Sequence, residues 1–397
     1  MNIEMIQHES IRNPYLKEAT ITFGKEEALD ALKRALYKID RNMEEFSDQF
    51  PNSASVNYKY ETDDMYHGGW NQGFWTGMLW HAYLLSGEEK YKTFALNHIP
   101  LFLKRIEQKA GVNHHDMGFL YSPSCVAAYQ LTGNENARKA ALLAADHLTS
   151  RYTPQGKFIQ AWGNLGEDNR LIVDCLMNIP LLYWASEESK DPKYRQMAYQ
   201  HFRTTIENTI RADAGSYQTF LFDKDTGAPI RGIANQGLSD DSTWSRGQGW
   251  CIYGMMLTRK YIDDPDALSI CKKMANYYIN RLPKDFVPYW DLAFTEGDQP
   301  RDTSAAAIVL CGLMELVKHL PDTDPDKEQY QQVIYSTLHF LAENYSTADH
   351  ESSNGLLTHA TYSVPHNLGV NECNIWGDYF YMEALTRLLI PNWKCWW

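Results

Sequence analysis

Two aspartates occupy positions where a carboxylate is costly. Asp174 interrupts the run RLIVDCLMNIPLLYW, residues 170–184, which otherwise reads as an apolar helix. An ionised side chain buried there needs a partner or a raised pKa. Asp116 lies in HHDMGFLY, residues 114–121, at the entrance to a second apolar segment. Two acids in such settings suggest proton transfer at a carbohydrate-like substrate. An Asp just before a helix ordinarily serves as an N-cap, a reading that suits Asp302 in RDTS, residues 301–304. Asp378 reads as a buttress of the last apolar helix, whereas Asp174 is harder to explain structurally. His114 and His115 are adjacent, so their side chains diverge and do not form a metal pair; at most one of them faces a site shared with Asp116.

A degenerate repeat positions these residues. Each unit runs as an apolar helix rich in small residues, a polar turn, then an amphipathic helix with its charges outward. The turns fall at 86–91, 132–137, 190–194, 263–267 and 323–326, where Asp-Pro and Gly-Asn pairs suit a helix stop and restart. Apolar helices begin near Asn71, Met117, Arg170, Gly247, Thr303 and Gly377. The first five each precede an amphipathic partner; the sixth lacks one, and the helix starting at Lys25 supplies it. Head and tail then close a ring of six helical hairpins. The predicted fold is all-α, an (α/α)6 barrel in one domain spanning residues 1–397, with room for short strands at 215–223 and 288–294. The inner helices run parallel, so the residues preceding them gather at one mouth: Trp70, Asp116, Arg246 and Trp376, with Asp174 one turn inside. Inner-helix N-termini point to the same mouth, and their dipoles favour an anion there.

Composition removes other classes. A chain of 397 residues with 44% hydrophobic content has ample material for a core. Its net charge of -13, without clustered Lys and Arg, argues against nucleic acid as a partner. The first residues lack the basic start and apolar stretch of a signal peptide, and no run is long and apolar enough to cross a bilayer, so a soluble cytoplasmic enzyme with no membrane partner is expected. Seven cysteines without CxxC spacing read as reduced packing residues. The twelve Trp and twenty-five Tyr suit either core packing or stacking on sugar faces. Oligomeric state is not legible.

The blocks at 114–121, 158–163 (FIQAWG), 170–175, 242–250 (STWSRGQGW) and 375–385 (IWGDYFYMEAL) occur in order along most of the chain. Through them the sequence resembles the unsaturated glucuronyl hydrolases, glycoside hydrolase family 88. The resemblance implies an (α/α)6 barrel that removes a 4,5-unsaturated uronic acid from the non-reducing end of lyase-generated oligosaccharides of the glycosaminoglycan type. It implies no metal and no organic cofactor. It puts the two essential acids at Asp116 and Asp174. Sugar-contacting groups fall at Trp70, Trp162, Gln236, Trp244, Arg246, Trp250 and Tyr362, with His115 beside the first acid. Two departures stand out: Gln218 occupies a position where some members carry His, and the loop 361–368 lacks the Ser and Lys pattern of members that grip a sulfate on the neighbouring amino sugar.

The chemistry fits these residue types. An unsaturated uronide is a vinyl ether, so a proton at C4 creates an oxocarbenium-like centre at C5; water adds there, and the hemiketal opens and expels the rest of the chain. Asp174 is the expected acid and then the base for water, while Asp116, more nearly ionised, orients hydroxyls and steadies positive charge. Arg246 suits either the substrate carboxylate or a structural ion pair, and Gln236 suits a sugar contact or a turn. One rival is an unsaturated rhamnogalacturonyl hydrolase resembling family 105, with the same barrel and chemistry. The other is a noncatalytic carbohydrate-binding barrel, which uses the aromatics but leaves two acids unexplained.

Overall fold

The computed structural model describes residues 3–18, 21–66 and 69–397. A short helix, α1 (Pro14–Glu18), precedes the outer helix α2 (Lys25–Phe46), whose apolar residues Ala28, Ala31, Leu32, Ala35 and Ile39 recur at helical spacing and are buried. A hairpin of β1 (Phe50–Pro51) and β2 (Thr62–Asp63) leads to the inner helix α3 (Gln72–Ser86), buried on all faces from Gln72 to Ala82. Gly87 ends α3 in the left-handed region, φ 73°, and its N–H binds the Tyr83 carbonyl. Outer helix α4 (Glu89–Gln108) follows.

The second inner element is broken. It runs as α5 (Met117–Tyr121), a π-turn at Ser122–Val126, and α6 (Ala127–Thr132). Pro123 has no N–H to give the preceding turn and its ring crowds it, which accounts for the local widening. Outer helix α7 (Glu135–Thr149) is capped by Asn134, and a hairpin of β3 (Tyr152–Thr153) and β4 (Phe158–Ile159) follows it.

The third inner element departs from the single helix expected over 170–184. It is strand β5 (Arg170–Ile172), a 3-10 turn (Val173–Met177), then α8 (Pro180–Ser189). Pro180 marks the restart: it fits the first helical position but supplies no N–H to continue a helix from upstream. Outer helix α9 (Pro192–Thr209) has Asp191 as its cap and Pro192 first. Strands β6 (Thr219–Phe222) and β7 (Pro229–Ile233) pair antiparallel with each other, and β6 with β5, so the strand expected within 215–223 exists in its second half. The segment 288–294 forms no strand: Tyr289 bridges only Arg301 and Asp291 only Trp244, two different partners that cannot build a ladder.

Three regular hairpin units complete the circuit. Inner α10 (Ser245–Arg259) packs on outer α11 (Ala267–Ile279), and inner α12 (Thr303–His319) on outer α13 (Lys327–Asn344). Inner α14 (Ile375–Leu389) packs along α3 and against α2, which closes the ring as an (α/α)6 barrel. Asp302 caps α12 by accepting from the N–H groups of Ser304 and Ala305, as its sequence position suggested. Asp378 accepts from Leu357 N–H at 3.0 Å and Tyr60 OH at 2.9 Å, tying α14 to the loop beside it. The far end of the barrel axis is filled by Trp397, whose ring is stacked on Phe380 and whose Nε1 donates to Glu383 at 2.7 Å. No helix among the described residues is long and apolar enough to cross a membrane.

Candidate active site

Parallel inner helices bring their N-terminal ends to one mouth, where a cavity of about 440 Å³ opens. Asp116 and Asp174 both line it, as do Trp70, Trp162 and Gln236. Trp244, Arg246, Trp250 and Tyr362 line it too, so nine of the ten residues singled out from the sequence meet at one surface. His115 is the exception. Its side chain is fully buried behind the two acids and does not line the cavity. His114 is also buried: Trp162 stacks on it at 4.4 Å, and its Nε2–H donates to the Gly111 carbonyl.

The convergence of the acids has a backbone cause. Gly118, in the first turn of α5, lies so close to Asn178 that a Cβ there would stand 2.4 Å from the Asn178 Cα. Only glycine lets the two acid-bearing segments approach this far. Asn178 then joins them: Oδ1 accepts from Phe119 N–H at 2.8 Å, while Nδ2 donates to Asp116 Oδ1 at 3.4 Å and to the Asp174 carbonyl at 3.3 Å. Along β5, alternation turns Arg170 and Ile172 toward the cavity, and Asp174 continues the lining on the 3-10 turn.

The two carboxyls are unequal. Asp174 is 20% exposed and opens on the cavity, whereas Asp116 is 2% exposed. Burial pushes the Asp174 carboxyl well above the usual range and the charge of Asp116 pushes it further, against an opposing pull from Arg246. Burial also raises Asp116, which was expected to stay more nearly ionised. The hydrogen bonds from Trp162 and Asn178 and the nearby Arg151 guanidinium oppose that rise. In this coupled pair Asp116 is the better stabilised as an anion, and its charge keeps the proton on Asp174. His115 Nε2 stands 3.2 Å from Asp116 Oδ1 and 3.4 Å from Asp174 Oδ1. Burial, then His114, holds its pKa well below the usual imidazole range. These three residues offer one atom each within 4.8 Å of one another, and are the one such trio of potential metal donors among the described residues.

Arg246 is already committed. Its Nη1 lies 2.7 Å from Asp302 and donates to the Thr361 carbonyl, and its Nη2 donates to the Tyr362 carbonyl at 2.6 Å. It also lies 4.4 Å from the Trp244 ring. Gln236 is held in turn: its Oε1 accepts from Gln218 at 2.7 Å and its Nε2 donates to the Tyr362 carbonyl at 3.0 Å. Gln218, the position that departs from the His of some relatives, lines the cavity and braces this loop, its Oε1 accepting from the N–H groups of Asn235 and Gln236. The cavity aromatics serve both readings of their abundance. Trp70 packs 4.9 Å from Trp376 and donates to Tyr362 OH, and Trp250 packs on Phe119, while each keeps an edge on the cavity.

Sequence reasoning missed Asn178, Arg151, Arg170 and His366. Asn178 left one signal, a polar residue four positions after Asp174 in an apolar run. Arg151 left none, since it reaches the site only through its bonds to Asn113 and the carbonyls of Gln160, Ala161 and Gly163. His366 lines the rim beside Ser363, to which it is hydrogen-bonded at 2.7 Å.

Comparison with known proteins agrees with this geometry. The unsaturated chondroitin disaccharide hydrolase of Streptococcus agalactiae serotype III is 44% identical over 402 residues, covering 100% of both chains. The crystal structure of unsaturated glucuronyl hydrolase from Streptococcus agalactiae matches at a TM-score of 0.96 and 44% identity, again over 100% of both chains. A mutant of unsaturated glucuronyl hydrolase from that organism, complexed with dGlcA-GalNAc6S, matches at a TM-score of 0.89 and 41% identity over 100% of each chain. The profile of Glycosyl Hydrolase Family 88 matches residues 38–388, and the chain belongs to that family.

Proposed function

We propose that the protein is an unsaturated glucuronyl hydrolase that releases a 4,5-unsaturated uronic acid from the non-reducing end of lyase-generated, glycosaminoglycan-type disaccharides. The observation that carries this reading is the unequal acid pair at one cavity: Asp174 opens on it with its carboxyl pushed well above the usual range by burial and by the charge of Asp116, and Asp116 lies nearly buried and hydrogen-bonded beside it. Family membership and the relative complexed with dGlcA-GalNAc6S support it. Asp174 delivers its proton to C4, and the π electrons of C4=C5 form the new C–H bond. Positive charge develops at C5 and the ring oxygen, where the carboxylate of Asp116 steadies it. Water attacks C5 and returns a proton to Asp174, and the hemiketal opens to release the neighbouring sugar. This is hydration of a double bond, unlike the paired-carboxylate attack at an anomeric carbon.

The reading extends to a single catalytic domain over residues 1–397, supported by the closure of α14 on α2 and α3. It also extends to a cytoplasmic site of action, supported by seven cysteines that are all free and buried. The net charge of -13 supports a sugar rather than a nucleic acid partner.

The test is a panel of unsaturated chondroitin, hyaluronan, heparin and pectin-derived disaccharides, followed by loss of the ultraviolet absorbance of the conjugated acid. Turnover of glycosaminoglycan substrates is expected, with Asp116→Asn and Asp174→Asn each lowering it by at least about a hundredfold in a folded protein. Turnover of the pectin-derived substrate alone would transfer the protein to the rhamnogalacturonyl reading. Binding without turnover would leave a noncatalytic barrel.

A further inference from the structure

Behind the acid pair, His115 occupies a position that neither substrate binding nor packing accounts for. It is fully buried, so no substrate atom reaches it without displacing Asp116 or Asp174. Its neighbour His114 is fixed by two bonds, donating from Nε2 to the Gly111 carbonyl and accepting the Asp116 N–H at Nδ1. The imidazole of His115 has no such anchor: among the described residues neither ring nitrogen makes a hydrogen bond, and the two carboxyls lie within 3.4 Å of Nε2. Nε2 lies 3.2 Å from Asp116 Oδ1 and 3.4 Å from Asp174 Oδ1, while Nδ1 has no hydrogen-bond partner among the described residues. A neutral imidazole carries one proton, and two acceptors stand at Nε2 against none at Nδ1, so the proton belongs on Nε2.

We propose that His115 is a positioning residue whose Nε2–H is shared between Asp116 and Asp174 and holds the two carboxylates together at the moment both are ionised. The proposal rests on the hydrolase reading above. Before turnover the pair retains a proton and tolerates its own proximity. Once Asp174 has given that proton to C4, two negative charges stand side by side in a buried site. The positive charge that balances them lies on the substrate. Nε2 stands within 3.2 and 3.4 Å of the two oxygens without a formed hydrogen bond to either in the resting arrangement, so its N–H closes on them only as the charge appears, which is differential stabilisation of the step rather than of the bound substrate. His115 keeps its own proton throughout; the proton that water loses returns to Asp174. The rate of the protonation step depends on this donor, and substrate affinity does not.

Two variants separate this role from packing. His115→Met fills similar space without a donor, and His115→Gln restores an N–H near the Nε2 position. With folding checked by circular dichroism, His115→Met is expected to lower kcat about 100-fold with KM within about threefold of wild type, the low end for loss of one preorganised donor. His115→Gln is expected to recover at least about a tenfold share of that loss. A kcat for His115→Met within threefold of wild type, or a Gln variant no better than the Met variant, would overturn the proposal. A raised KM at constant kcat would make His115 a substrate contact instead. Loss of wild-type activity in a chelator, restored by a divalent cation, would replace the shared proton by a bound metal. A wild-type protein inactive on every unsaturated uronide sinks the functional reading, and neutron diffraction of the resting protein still decides the bridge. Deuterium on Nε2 between the carboxyls supports it, and deuterium on Nδ1 alone refutes it.

Discussion

Replacing Arg246 by Lys separates two roles that the sequence left open. The guanidinium is 2% exposed and joins three parts of the mouth: Asp302, which caps α12; the carbonyls of Thr361 and Tyr362; and the ring of Trp244 at the start of α10. An ammonium on a shorter stem keeps the charge near Asp302 but cannot span the fork to both carbonyls. Two charge-assisted hydrogen bonds are then lost, each worth about 1.5–3 kcal/mol, and relaxation returns part of that. The expected cost is about 3 kcal/mol, a sizeable fraction of the roughly 5–15 kcal/mol by which a folded protein is stable. Urea unfolding followed by tryptophan fluorescence should show a lower midpoint at an unchanged slope. Because the loop carrying Tyr362 also lines the cavity, KM should rise as well. A tenfold rise in KM with the urea midpoint unmoved would refute this reasoning, since it would mean that the fork is spent on the substrate carboxylate and not on the loop.

Two further outcomes follow from the same geometry. Asn178→Ala leaves the Phe119 N–H without its acceptor and removes a donor from Asp116, so it should cost about 1–3 kcal/mol in thermal or urea unfolding and lower kcat more than it raises KM; unchanged kcat would show that Asn178 does not set the acid pair. The Asp378 carboxyl is pushed by burial up to about 7, above its unfolded value, so its contribution to stability is fully present below the unfolded value and is lost as pH rises through 7. Relative to Asp378→Asn, the wild type should therefore lose on the order of 2–3 kcal/mol between pH 5 and pH 8, and parallel stability curves for the two proteins would contradict it.

The acids were legible because they are ionisable residues at apolar segments, a local signal, and the ring was legible because its repeat recurs along the chain. The third inner element was misread for a physical reason. Leu171-Ile172-Val173 is a continuous apolar run that suits a buried helix and a strand alike. The choice matters to the chemistry. In a helix Arg170 and Asp174 would be one turn apart and would pair, holding Asp174 ionised. In the observed strand and 3-10 turn both residues line the cavity without an ion pair between them, and burial raises the Asp174 carboxyl. Pairing with β6 makes residues 170–172 a strand, and Pro180 marks only the later restart as α8. His115 shows the other limit: adjacency to Asp116 placed it near the site, but only the folded chain shows that its imidazole turns behind the acids instead of toward the sugar.

The central claim is that a proton from Asp174 adds to C4 of an unsaturated uronide and that water adds to C5. Turnover in heavy-oxygen water and, separately, in deuterated water tests it directly, read by mass spectrometry and NMR before carbonyl exchange. The account predicts deuterium at C4 of the released acid and the oxygen label at C5. A label at C1, with the double bond intact and no deuterium at C4, would contradict it.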